Sequence, residues 1–405
     1  MRNVDNSTVM ARAGKAPGPE TFPWLDGLRG VAAMWVLLSH VQILSGTRWI
    51  PILSWGGLAV DLFMMLSGLL MAHHYLLRQA REPWNKPSTW LTFWTRRFFR
   101  IAPLYYVVLA VALALAPYIG HARDAVAAVW PGTSTAASRY ASFDLGNVIA
   151  HVTFVFGALP EYAFRTSLPD WSIGLEMQFY LFFPFVMLLL VRRAGHLFAG
   201  VALAIACLAL QWQLPSFFGA FVMPSFLPIK LYVFVIGIWI AISRADGSMK
   251  SALVVSVLLT SAVAAHVRSS EAIGRVVLVT VLFYLMSDGS LPGPRTVLRG
   301  IDRARAALSG GLARFLGDTS YGLYLVHLLV LIPIAGAFAQ LPAYVTAPSA
   351  LRFAICLILV VPISLALAWL GHRAIEQPGI QFGKNMIRSF FSARVEAAQP
   401  SSVAK

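Results

Sequence analysis

Charge is scarce in this chain. Only 12% of its 405 residues are Asp, Glu, Lys or Arg, about half the share of an ordinary soluble domain. Acids are the scarcer sign, 17 against 32 Lys and Arg. The net charge of +15 does not point to nucleic acid, because the basic residues fall in short loops between apolar runs. In such a chain they mark the cytoplasmic side of a membrane. Cysteine is almost absent. Cys207 and Cys356 each lie inside an apolar run, which argues against a disulfide or a metal site; both read as small hydrophobes. The first 24 residues lack the apolar core of a signal peptide and read as a disordered cytoplasmic tail. No internal repeat of about 20–50 residues is visible, and neither end reads as a separate soluble domain.

What is abundant is hydrophobe, 58% of residues, with a mean hydropathy of +0.70. Apolar runs of about 20 residues, each long enough to cross a bilayer, recur along the chain. Ten spans are expected, at roughly 25–45, 54–77, 101–119, 172–191, 196–214, 226–243, 251–267, 271–287, 315–340 and 350–371. The fold class is therefore an all-α polytopic membrane protein of about ten helices with both termini cytoplasmic. Residues 25–372 form its transmembrane domain and 373–405 a basic cytoplasmic tail. This topology puts 24 of the 32 Lys and Arg inside. A further apolar patch, 145–159, is interrupted by His151, Thr153 and Gly157. Were it a span, the basic 288–314 loop and the C-terminal tail would lie outside, against the positive-inside rule. It is placed on the outer surface or as a re-entrant segment, within a long outer stretch, 120–171. A connection of that length is uncommon and often functional.

Ionisable groups inside spans are costly and mark function or helix pairing. His40, Asp61 and Glu176 each fall about 7–9 Å below the outer end of a span, so a shared pocket opening outward is expected. Arg97 and Arg100, three apart at the inner end of the third span, would present two guanidiniums on one helix face. That fork suits phosphate, although basic residues at a cytoplasmic helix end also follow from topology alone. Arg29 lies at the same inner level. His327 reads as a buried histidine bonded to a neighbouring helix, His73 and His74 as interfacial, and Asp318 as a helix cap.

These pieces, in this order, resemble the acyltransferase-3 family of integral-membrane acyltransferases that modify bacterial surface polysaccharides and related molecules. LDGLRGVAAMWVLLSH resembles its opening motif, a basic residue and a histidine, here Arg29 and His40. GGLAVDLFMMLSGLLM resembles its second-span motif. RRFFRIAPLYY holds its Arg-x-x-Arg, here Arg97 and Arg100. WSIGLEMQFYLFFPF, LGDTSYGLYLVH and HRAIEQP resemble later blocks. Many members have two successive acids in the Trp-Ser block; here the second is Met177, leaving Glu176 alone.

The resemblance implies transfer of an acyl group, usually acetyl, from cytoplasmic acyl-CoA to a hydroxyl of an acceptor outside, a surface or exported polysaccharide or another glycan. The protein would reside in the bacterial cytoplasmic (inner) membrane, with acyl-CoA as co-substrate and no permanently bound cofactor or metal. Some members have an appended soluble esterase-like domain; none is expected here, where the chain stops at Lys405. His40 would deprotonate the acceptor or itself take the acyl group, two routes the residues leave open. Asp61 or Glu176 would orient its imidazole. Arg97 and Arg100, with Arg29, would grip the CoA phosphates. Two alternatives stand beside this reading: a proton-coupled transporter, though no paired broken spans are visible, and acylation of a small hydroxylated molecule in place of a glycan.

Overall fold

The computed structural model describes residues 22–47, 49–141, 144–191, 195–266 and 271–397. It is 82% helical, with no strand among these residues. The main helices are α1 (Pro23–Leu44), α2 (Gly56–Arg78), α3 (Pro87–Ala114), α4 (Ala116–Val129), α5 (Leu145–Val152), α6 (Trp171–Leu190), α7 (His196–Gln213), α8 (Leu227–Asp246), α9 (Met249–His266), α10 (Ala272–Met286), α11 (Arg295–Leu308), α12 (Gly311–Ala339), α13 (Ser349–Gly371) and α14 (Gln377–Ala397). Nine helical segments among the described residues are long and apolar enough to cross a membrane, and α10 is a shorter apolar helix of 15 residues. The multi-pass membrane class stands. The expected N-terminal tail, apart from its last three residues, lies outside the described residues.

Two helix pairs form the centre. α12 packs along α1, and α8 along α2, more extensively than any other pair. A helix apolar all round is buried by its neighbours, and α8 is buried continuously from Leu231 to Ser243. Small residues let the backbones approach. A Cβ at Gly237 would stand 2.0 Å from the Met65 carbonyl oxygen, and one at Gly317 2.4 Å from that of Asp26. Such contacts replace the hydrophobic drive that lipid removes.

Three boundaries differ from expectation. α3 begins at Pro87, not at 101: Thr89 and Thr92 of its first turns are buried, and Trp90 and Phe93 pack on Trp84; Arg97 and Arg100 therefore sit well inside a helix of 28 residues. Asp318 does not cap α12. That helix begins at Gly311, and Asp318 is exposed on its side. Residues 373–397, expected as a tail, continue the last span through a π-turn (His372–Glu376) into α14. α14 packs on α3, with Gly383 against Phe99 and Gly379 against Pro103. The 145–159 patch forms only the eight-residue α5 and a 3-10 turn. At about 12 Å, α5 is too short to cross.

Candidate active site

A cavity of about 460 Å³ opens between the inner ends of α2 and α3, the 79–86 connection and α14. His74, Arg78, Arg96, Arg97, Arg100, Lys384 and Arg388 line it, with Glu82 the lone acid. His74, expected as merely interfacial, is thus part of its wall. Arg96 makes two bonds of 2.7 Å to the Glu82 carboxylate, which hold that carboxyl below its ordinary range. Arg97 and Arg100, expected on one helix face, both line this cavity but are not equivalent. Arg100 is 2.5 Å from the carboxylate of Glu376, which is fully buried and also meets His372 at 3.0 Å. That contact fastens the π-turn to α3. Arg97 has no such partner among the described residues; its guanidinium lies over the rings of Tyr180 and Phe93, at 5.4 and 5.8 Å.

The Tyr180 contact leads inward. The Tyr180 hydroxyl donates to Glu176, and so does Ser67 Oγ at 2.8 Å. Glu176, Ser67 and Arg29 line a narrow pocket of about 50 Å³, together with Ser172, Ser320, Tyr321 and Tyr324. Space of that size admits about one or two waters. Arg29, expected beside the phosphates, lines this pocket and not the basic cavity. At the far end Ser172 Oγ is 2.7 Å from the Tyr324 hydroxyl, which in turn donates to the Pro169 carbonyl at 2.7 Å.

One turn beyond Tyr324 on α12 is His327, whose ring centroid is 6.1 Å from that of Tyr324. Its Nε2 lies 3.1 Å from Nδ1 of His40 on α1. The tautomers follow from the acceptors. His327 Nδ1 faces the Leu323 carbonyl at 3.2 Å, so in the neutral ring it holds the proton and Nε2 accepts. His40 Nδ1 faces the Val36 carbonyl at 3.0 Å, so it too is protonated and shares its hydrogen with His327. His40 Nε2 is left with a free lone pair, the form a general base requires. His327 is bonded to a neighbouring helix as expected, but its partner is His40 itself.

Among the described residues no carboxylate fills the orienting place foreseen for Asp61 or Glu176; His40 Nδ1 meets Val36 and His327 instead. Asp61, fully buried on α2, is 2.7 Å from Lys230 Nζ and 2.6 Å from Arg275 Nε. Arg275 also reaches Glu271 at 3.4 Å. This group ties α2 to α8 and α10. Nor do the three groups share one depth. Ser67, which holds Glu176, is six residues inward of Asp61, about 9 Å along α2. The expected match assumed that α6 starts at the membrane surface. It starts beneath a roof, the outer stretch, whose Ser167, Leu168 and Asp170 are almost completely buried.

That roof is held by Asp170. Its Oδ2 accepts from Thr166 Oγ1 at 2.8 Å and from the Tyr105 hydroxyl at 3.2 Å, and His151 Nε2 lies 3.6 Å away. Arg139 donates to the carbonyls of Thr166 and Leu168. Burial pushes the Asp170 carboxyl above its ordinary range, against the pull of His151, Thr166 and Arg139. The folded protein therefore binds a proton the unfolded chain has released, and stability falls as pH rises from about 4 through the raised value. Asp170→Asn should flatten that slope. Melting temperatures of both proteins, recorded from about pH 4 to about pH 8, check this; parallel curves would refute it.

The sequence reading missed Lys230, Arg275, Tyr180, Tyr324, Lys384 and Arg388 as members of these groups. Lys230 and Arg275 had a signal: each is a lone cation inside a span near the level of Asp61, and buried ions pair. Nothing in the sequence joins α14 to α3.

The fold and these groups define a polytopic membrane protein with one polar column through an apolar bundle, from a basic cavity on one side to a histidine pair toward the other. The chain belongs to the acyltransferase-3 family: the model of its acyltransferase domain matches residues 22–369. Acyltransferase MdmB of Streptomyces mycarofaciens is 29% identical over 342 residues, 76% of this chain and 79% of that protein. O-acetyltransferase OatA of Staphylococcus aureus is 31% identical over 188 residues, 45% of this chain but only 27% of its own length. Protein 2 in the picA locus of Rhizobium radiobacter is 42% identical over 101 residues, 25% of this chain and 48% of its own. No solved structure matches the chain.

Proposed function

We propose that this membrane acyltransferase moves an acyl group from a cytoplasmic acyl-CoA to a hydroxyl of an acceptor reached from the outer side. The observation that supports this best is the column itself. Arg97, Tyr180 and Glu176 follow one another by contact, Glu176 and Tyr324 line the same narrow pocket, and Tyr324, His327 and His40 follow one another along and across α12. On α2 the column runs from Met71 in the basic cavity to Val60 in the inner pocket, about 16 Å. A phosphopantetheine arm is of comparable length, so the nucleotide can stay in the cavity while the thioester reaches the inner pocket, whose Tyr324 lies one turn from His327. The narrow pocket must widen to admit it, and the hydroxyl-lined walls of Ser67, Ser172 and Ser320 suit the amides of the arm.

His40 Nε2 takes the proton of the acceptor hydroxyl as its oxygen attacks the thioester carbonyl. The carbon–sulfur bond breaks, and the imidazolium returns the proton to the leaving thiolate. In the alternative order Nε2 attacks the thioester first, the carbon–sulfur bond breaks to expel the thiolate, and the acyl-imidazole then gives its acyl group to the acceptor hydroxyl, whose proton passes to the thiolate. His327 is a positioning residue in both: by accepting from Nδ1–H it fixes the reactive tautomer. His327→Ala should lower kcat by about tenfold to a hundredfold, the worth of a hydrogen bond to a group that becomes charged. His327→Gln, whose amide oxygen also accepts, should recover most of that loss with KM for the donor unchanged. Equal loss in both variants would reduce His327 to packing.

Acetyl as the group transferred is supported by the likeness to the O-acetyltransferase OatA, and a surface or exported polysaccharide as acceptor by the family resemblance of the sequence motifs. Mass spectrometry of cell-surface glycans, with and without the gene, tests the acceptor. Unchanged O-acetylation would remove the glycan reading and favour a small hydroxylated acceptor. Stabilisation of the purified protein by CoA tests the donor; a proton-coupled transporter would show none.

A further inference from the structure

The basic cavity holds more positive charge than a two-arginine clamp explains. Of its six Lys and Arg residues, two are cancelled, Arg96 by Glu82 and Arg100 by Glu376. Arg78, Arg97, Lys384 and Arg388 have no carboxylate partner among the described residues. Uncompensated cations around one cavity create a site for a polyanion. The four also fall on two walls. Arg97, beside Tyr180, stands at the mouth of the column, and Arg78 at the end of α2 accompanies it. Lys384 and Arg388 lie one turn apart on α14, beside Ile380 and Ile387, which also line the cavity. Residues four apart on a helix share a face, so this pair forms a second cationic locus on the opposite wall. The wall is a built one, pinned to α3 by the Arg100–Glu376 contact and by the close approach of Gly379 and Gly383.

Coenzyme A has its negative charge in two places, a pyrophosphate next to the pantetheine arm and a phosphate on the ribose 3′-oxygen, far from it. The arm must enter the column beside Arg97, so the pyrophosphate falls on the Arg97 and Arg78 wall. The remote phosphate then faces the other. We infer that Lys384 and Arg388, on the C-terminal helix, bind the 3′-phosphate and make the protein select CoA over its 3′-dephospho form. This inference rests on the acyl-CoA reading above. It assigns the C-terminal helix to the donor site and gives Arg100 a different task, that of fastening this helix.

The test uses the full-length protein in detergent or nanodiscs, titrated with CoA and with 3′-dephospho-CoA by calorimetry. The wild type should bind CoA at least about tenfold more tightly, the worth of one charge-assisted contact. In Lys384→Gln/Arg388→Gln, affinity for CoA should fall to that for dephospho-CoA, while dephospho-CoA binds as before. Arg97→Gln should weaken both compounds alike, since both keep the pyrophosphate. A CoA preference that survives the double substitution overturns the inference. Equal binding of the two compounds by the wild type also overturns it, yet leaves the donor reading intact. If the wild type binds neither, the donor reading itself fails, and this inference with it.

Discussion

His40→Ala should abolish acyl transfer, lowering kcat by about a hundredfold to ten-thousandfold, the range seen when a general base is lost. Donor affinity should barely change, since the basic cavity lies at the other end of the column. The protein should also keep its melting temperature within a few degrees. His40 is half-buried, and its Nδ1 bonds to Val36 and His327 can be given up without leaving a charge unpaired. The substitution strands only a neutral imidazole at His327, which keeps its own bond to Leu323. Purified protein assayed for acyl transfer and for CoA binding separates these effects. Activity retained within tenfold would remove His40 from the chemistry. Equal loss of binding and turnover would mean that the histidine pair supports the bundle instead. His40→Gln offers a further check: it fills the same space but offers no basic nitrogen, and it should be as inactive as alanine.

The second large effect concerns Asp61, and here the geometry argues for stability over catalysis. Asp61→Asn should destabilise the protein by about 3–5 kcal/mol, the usual cost of removing one partner from a buried ion pair. Two cations pair with this one carboxylate, Lys230 at 2.7 Å and Arg275 at 2.6 Å, with Glu271 a second, longer partner of Arg275 at 3.4 Å. Both are mostly buried, so neither finds enough water to replace it. The expected readout is a lower melting temperature and poor recovery from the membrane. A combined Asp61→Leu, Lys230→Met and Arg275→Met protein, with Glu271→Gln, should regain much of the loss, because well-packed apolar groups often replace a buried ionic cluster at little cost. Should Asp61→Asn instead melt like the parent and lack activity, the carboxylate would belong to the reaction and not to the scaffold.

Much of the fold was legible, because a span announces itself by length and hydropathy over about 20 residues. The extended start of α3 and the helical tail were not, since both are half-polar helices held by tertiary contacts that no local pattern contains. Gly379 and Gly383 meet α3, and Glu376 finds Arg100, only once the bundle exists. The residues of the site were legible in kind but not in partnership. His40, Asp61 and Glu176 stand out in the sequence as costly groups inside spans, and Arg29, Arg97 and Arg100 as a basic cluster at the inner end. Depth along each helix was counted from an assumed surface, and the roof over α6 moved that origin. So Asp61 and Glu176, read as neighbours of His40, lie with Lys230 and Arg275 and with Ser67 and Tyr180. The histidine that does touch His40 was read as a separate buried group.

The separation of the four unpaired cations from the histidine pair has an electrical consequence. In the proposed orientation, a charge held by Arg78, Arg97, Lys384 and Arg388 stays at the potential of the cytoplasm. The neutral tautomers of His40 and His327 leave no standing charge at the opposite end. Carrying one elementary charge through 100 mV costs about 2.3 kcal/mol, so a polyanion dragged across would make turnover depend steeply on voltage. A neutral group passed down the column, with every phosphate left behind, does almost no work against the field. Under the proposed reaction, the arrangement of charge in this bundle lets acyl transfer proceed alike in energised and de-energised membranes.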